Sequence, residues 1–188
     1  MVSSIISTSD TTFSTAEDAR RLFSVTDSDL AALKLFGESV APQMDTFVKE
    51  FYVWLKTLAE YEVFFPDQTM VDHVKTLQRE YWQDVFEGQI DQSYIDRRQM
   101  VGEVHARIGL PLGIYFAAMN HAISLFSDTL RDPNMEADDY AAGLIALQKI
   151  ATMDTALVVD TYARINNEAA MTQSKAIMEM STPVTQIW

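Results

Sequence analysis

VGEVHARIGLPLGIY, residues 101–115, is the stretch whose reading decides the fold. Val101, His105 and Ile108 recur at spacings of four and three, which stack side chains on one face of an α-helix. An imidazole therefore sits in an apolar row. Gly109 suits the left-handed residue that closes a helix, and Pro111 suits the opening of another, on which Tyr115 projects one turn in. A helix, a sharp corner and a second helix thus frame His105.

Two chemistries fit an imidazole in that setting. A lone histidine on an apolar face is usually a core residue whose ring N–H finds a carbonyl. The sharper reading is an axial ligand of haem iron, because neutral imidazole suits iron and a dry apolar wall suits a porphyrin.

Further stretches bear on the choice. HARIGL followed by a proline and an aromatic, FYVWL at residues 51–55 and YWQDVFEGQID at residues 81–91 together resemble the globin-coupled sensor family over residues 27–165. Members of that family are haem proteins that detect oxygen or related gases and signal to an attached output domain. The resemblance implies His105 as proximal iron ligand, Tyr52 as the distal tyrosine that hydrogen-bonds a bound gas, and Tyr115 as a proximal-side pocket tyrosine. Leu77, with Thr76 beside it, falls where the family places a further distal residue. A leucine donates nothing, which leaves Tyr52 as the main distal donor. Val74, Val101 and Ile108 complete the implied haem contacts, and the cofactor implied is haem b.

Composition bounds the remaining classes. A chain of 188 residues that is 48% hydrophobic can bury a proper core and a ligand of haem size. Its 14 basic and 27 acidic side chains give a formal charge of −13, which argues against nucleic acid or an anionic membrane as main partner. With no cysteine, disulfides, thiolate metal sites and cysteine nucleophiles are excluded. No basic leader precedes an apolar core at the N-terminus, and no stretch reads as a membrane span, so a cytoplasmic protein is expected. No Gly-rich phosphate loop, nucleophile elbow or HExxH helix is present, and Asp138 and Asp139 read as solvated acids, so no enzyme is expected.

In chain order, residues 1–15 read as a mobile arm. Thr15 or Ser14 can cap a short helix carrying Leu22 and Phe23, which the resemblance makes an extra N-terminal helix over the globin core. Asp27–Asp29 open a helix with Leu30, Leu33 and Phe36, interrupted at Pro42. Met44, Phe47, Val48, Phe51, Tyr52 and Leu55 form the apolar face of the next. Beyond Pro66, Met70, Val74, Leu77, Tyr81 and Val85 form one stripe of a five-turn helix, which would roof a distal pocket. His73 points off that stripe and reads as a partly exposed histidine. Gly88 ends the helix, and Ser93 with Asp96 resembles a capping box for the helix bearing His105. On that helix Arg97, Arg98 and Arg107 read as solvated charges, one of which can pair with a haem propionate. A four-turn helix from Pro111 through Phe126 and a turn at Pro133 and Asn134 then lead to the longest helix in the chain. Leu144, Leu147, Ile150, Ala151, Leu157, Val158 and Tyr162 can pack it on the core. Its pattern continues past Tyr162 with small residues near a heptad spacing, which suggests a stalk emerging from a homodimer, with Leu125 and Leu157 as candidate interface positions.

The tail Ile177–Trp188, IMEMSTPVTQIW, resembles the opening of a STAS domain. A globin sensor joined by a stalk to a STAS domain resembles the RsbR-type subunits of the bacterial stressosome. Those subunits assemble with a smaller scaffold protein and hold a serine/threonine kinase. The expected fold is all-α: a globin-like haem sensor domain over 16–165, a helical linker over 166–180 and the start of a truncated STAS domain over 181–188. The expected function is a haem-based sensor of oxygen or another diatomic gas. The alternative is a haem-free, globin-fold scaffold module of the same assembly.

Overall fold

The computed structural model describes residues 15–129 and 133–181, and every regular element among them is helical. Thr15 caps α1 (Ala16–Leu22) by accepting from Asp18 N–H, as its position before an acidic first turn leads one to expect. α2 (Asp27–Val40) starts with a full capping box, in which the Thr26 side chain takes the Asp29 N–H and Asp29 returns to the Thr26 N–H. Pro42 interrupts the run as a single 3₁₀ turn (Ala41–Gln43), and α3 (Met44–Leu55) resumes with Met44, Phe47, Val48, Phe51, Tyr52 and Leu55 all buried. A short α4 (Tyr61–Phe64) precedes α5 (Gln68–Phe86), which stops at Gly88 with φ +66.

α6 (Gln92–Arg107) is capped by Asp91, whose side chain accepts from Tyr94 N–H. The expected cap, Ser93 with Asp96, lies two residues too late: a carboxylate at Asp91 already meets the orphan amide, and Ser93 Oγ donates to it instead. α7 (Leu112–Ser124) ends in a π-helical turn (Leu125–Thr129), and α8 (Ala137–Ser181) runs unbroken for 45 residues. The expected N-terminal arm over 1–15 and STAS opening over 181–188 lie, except for Thr15 and Ser181, outside the described residues.

The core forms where α2 and α6 lie along α8, with α3, α5 and α7 closing the far side. At its centre Phe126 stacks on Phe47 with ring centroids 4.3 Å apart, and Trp82 meets both edge-on. Leu125 and Leu157, read as dimer-interface candidates, are instead buried within this core, so they present no surface to a second copy. Contrary to the sequence reading, α8 holds an 18-residue window of mean hydropathy 1.4, long and apolar enough to cross a membrane, but half of it is buried inside the protein. Beyond Ile165 the side chains of α8 are exposed through Met178.

Candidate functional site

The corner predicted at His105 is built by a Schellman motif. Gly109, at φ +68, lets Leu110 N–H reach the His105 carbonyl at 3.0 Å while its own N–H reaches Ala106 at 3.1 Å. Pro111 then sits at the cap of α7, one position earlier than a first-turn proline, and its carbonyl takes the first bonds, from Ile114 and Tyr115. The backbone of His105 is thereby fixed within the last turn of α6.

The ring is fixed as well. His105 Nδ1 lies 2.8 Å from the Val101 carbonyl, one turn back. A carbonyl can only accept, so Nδ1 carries the proton and Nε2 keeps its lone pair. Burial pushes the His105 pKa below its ordinary value, with the Val101 bond opposing. The result is a half-buried neutral imidazole with a tautomer held by a carbonyl, the arrangement that metal-ligating histidines use. Tyr115 joins it from α7, ring centroids 5.3 Å apart. The Tyr115 hydroxyl is buried, and burial raises its pKa, helped by the charge of Asp154 and opposed by Arg98 and the Thr155 hydroxyl.

Tyr52 stands in a second cluster. It is 4% exposed, its ring meets Phe65 at 6.0 Å, and the Lys75 ammonium lies 5.2 Å from its centroid. Burial raises its pKa, as does neighbouring Tyr61. Val74 packs partly on the core beside it. Leu77, by contrast, is 48% exposed, Ile108 is 50% exposed, and Val101 is half-buried. The structure therefore gathers Val101, His105 and Tyr115 on one side, holds Tyr52 apart from them, and leaves Leu77 and Ile108 open.

Of the stripe Met70, Val74, Leu77, Tyr81 and Val85 on α5, Val85 is buried and Val74 and Tyr81 pack partly on the core, while Val71, Trp82 and Phe86 from the neighbouring row are buried as well. Met70 and Leu77 stay exposed, and so do Met100, Val104 and Ile108 at four-residue spacing on α6. α5 packs against α2 and α3, α6 packs against α8, and the two helices do not pack along each other. Apolar side chains are thus left exposed on both helices, which Asp84 joins through Arg97 and Arg98, and His105 lies on the second of them. His73 is exposed, as expected. His121 stacks on Trp54 at 4.4 Å, away from His105.

The arginines are placed differently from the sequence reading. Arg98 is 2% exposed and cannot serve a propionate, because its Nε donates to Asp154 at 2.8 Å and its Nη1 pairs with Asp84 at 3.0 Å. Asp154 is fully buried in α8 and also accepts from the Tyr81 and Tyr94 hydroxyls, each at 2.8 Å. Both tyrosine rings lie against the guanidinium, 4.2 and 4.0 Å from its carbon. Burial pushes the Asp154 carboxyl up, while Arg98 and the two hydroxyls hold it down. Arg97 is engaged by Asp84 on the surface, which leaves Arg107, exposed in the last turn two residues from His105, as the remaining arginine of this helix. Sequence reasoning missed this network. Its signal was a lone aspartate inside the apolar run Ile150–Val159, since a buried charge has to be paired.

The chemistry of these residues suits an iron porphyrin: an imidazole whose tautomer is set by a carbonyl, with large apolar side chains exposed at Val104 and Ile108 on its own helix and at Leu77 on α5. The sequence profile of the protoglobin family, "Protoglobin", matches residues 14–168. The fold is similar to the globin domain of a Geobacter sulfurreducens globin-coupled sensor, with a TM-score of 0.73 at 20% identity, over 80% of this chain and 99% of that one.

Proposed function

Starting from a chain that belongs to the protoglobin family, a family that binds haem in general, we propose that it is a haem-based sensor domain for oxygen or another diatomic gas. Haem b is the form proposed, and when bound it supplies an iron site that takes up a small gas reversibly. His105 Nε2 would hold the iron, with Val101 keeping the imidazole neutral and oriented through Nδ1. Val74, Leu77, Val104 and Ile108 would cover the porphyrin faces and exclude water. Tyr52 would offer its hydroxyl to the gas. The observation that carries this reading is the unprotonated Nε2 of His105, its tautomer held by the Val101 carbonyl, on a helix that leaves an apolar row exposed.

The signal would leave through α8. Arg98, on the helix of His105, bonds Asp154 directly, so a shift of α6 biases the arrangement of α8. From there α8 would act as the stalk of a homodimer and deliver the bias to a STAS output domain, where the scaffold protein and serine/threonine kinase of a cytoplasmic stressosome would assemble. Support for that extension is the exposed run of α8 to Met178 and the STAS-like sequence after it. The domain itself would bind and signal rather than catalyse.

The test is the visible spectrum of the purified protein after haem reconstitution. A Soret band is expected in the wild type and its loss in His105→Ala. Protonation of Nε2 competes with iron, and because burial lowers the His105 pKa, haem retention should persist through the ordinary histidine range and decline only at more acid pH. A colourless wild type would reduce the protein to a haem-free scaffold.

A further inference from the structure

The interior stripe of α5 contains two residues that do not belong in a core. Val71, Lys75, Gln78 and Trp82 follow a 4, 3, 4 spacing along one face, and the two ends of the row, Val71 and Trp82, are 4% and 2% exposed. Between them lie an ammonium and an amide. The Lys75 side chain is 31% exposed and carries its charge to 5.2 Å from the Tyr52 ring centroid. Its carboxylate neighbour, Asp72, is 3.9 Å away and well exposed, a geometry that neutralises little. One turn along, Gln78 Oε1 is buried with no hydrogen-bond partner. A buried acceptor left without a donor is costly, so it marks a place where a polar group belongs.

A simpler account of Lys75 is that its methylene stem covers Tyr52 and its head reaches water. That account explains the ring contact but not the orphaned amide on the same row, nor a cation placed against the one tyrosine assigned to the gas. The charge matters more because of its background. The chain carries a formal −13, so an anion approaching it meets general repulsion, and a cation at this site reverses the sign locally.

We propose that Lys75 is a second distal group, which with Tyr52 and Gln78 gives the ligand side of the slot selectivity for anionic ligands of iron over neutral ones. This rests on the haem reading above. Tyr52 supplies a neutral donor, Lys75 supplies charge, and Gln78 supplies an acceptor that can hold an ordered water or the donor end of a ligand. Lys75 acts on affinity for charged ligands and leaves the affinity for a neutral diatomic unchanged.

The experiment compares azide binding to the ferric protein and carbon monoxide binding to the ferrous protein, in wild type, Lys75→Met, Lys75→Arg and Lys75→Glu. Azide affinity should fall at least about fivefold in Lys75→Met, further in Lys75→Glu, and be largely kept in Lys75→Arg. Its dependence on salt should flatten in Lys75→Met. Carbon monoxide affinity should stay within about twofold throughout, which a merely structural lysine would not ensure. A wild type that forms no Soret band overturns the haem reading and this proposal together. A wild type with a Soret band whose azide affinity is unchanged by Lys75→Met overturns this proposal alone.

Discussion

The two faces of α6 are opposites. Toward α8, Tyr94, Ile95, Arg98 and Gly102 are buried, and the seam is closed by a charge network and by direct backbone approach. On its other side Met100, Val104 and Ile108 stay exposed, although they are the more apolar set. A chain that seals an arginine and an aspartate inside while leaving three large hydrophobic side chains outside is not arranged for its own burial alone. The closed seam fixes α6 to α8. The open side keeps apolar surface available, and His105 belongs to that open end.

The sharpest way to break this contrast is at the seam. Asp154→Ala takes from buried Arg98 one of its two carboxylates and from the Tyr81 and Tyr94 hydroxyls their acceptor, and the expected loss is about 3–5 kcal/mol in urea denaturation of the haem-free protein. Combining Arg98→Met with Asp154→Leu should recover part of it, because the buried charge is then removed with its partner while the Tyr81 and Tyr94 hydroxyls still lack an acceptor. A smaller effect is expected from Gly102→Ala. Its Cβ would meet Thr161 Cβ and the Val158 carbonyl oxygen, both at 2.8 Å, and the carbonyl belongs to the backbone of α8 and cannot turn aside. The expected cost is about 1–3 kcal/mol by the same measurement.

The open side should respond in the reverse sense. Leu77→Ala and Ile108→Ala should each shift haem-free stability by less than about 0.5 kcal/mol, since both side chains are already half in solvent. The same changes should speed haem loss to an excess of acceptor globin. Stability losses of the size expected at the seam would show that these rows are ordinary core.

The order of helices was legible because its punctuation is local. Thr15, Thr26, Pro42, Gly88, Gly109 and Pro111 each act through their own backbone neighbours, and the structure places a helix boundary at each. The ring contact of His105 with Tyr115 followed from the same corner. What resisted reading depends on partners far along the chain. Nothing near Arg98 announces Asp154, 56 residues away, so a solvated charge was the natural expectation. The stripe on α5 showed periodicity but not which of two adjacent rows faces the core, a rotation of about 100° that only the positions of α2 and α3 decide. Leu125 and Leu157 failed as interface candidates for the same reason, since apolar spacing does not say whether the covering surface belongs to the same chain. Asp91 was passed over for Ser93 because both are good caps and they stand two residues apart.

α8 is continuous from Ala137 to Ser181, and Asp154 clamps it well short of its far end. Packing holds it on through Thr161, and from Ile165 its exposed end extends for about 24 Å at 1.5 Å per residue. As a stalk it would act as a lever, and a tilt of about 5° where it leaves the core would sweep the tip through about 2 Å. Motion too slight to disturb the packing beside the imidazole arrives at the distant end as a displacement the size of an atom.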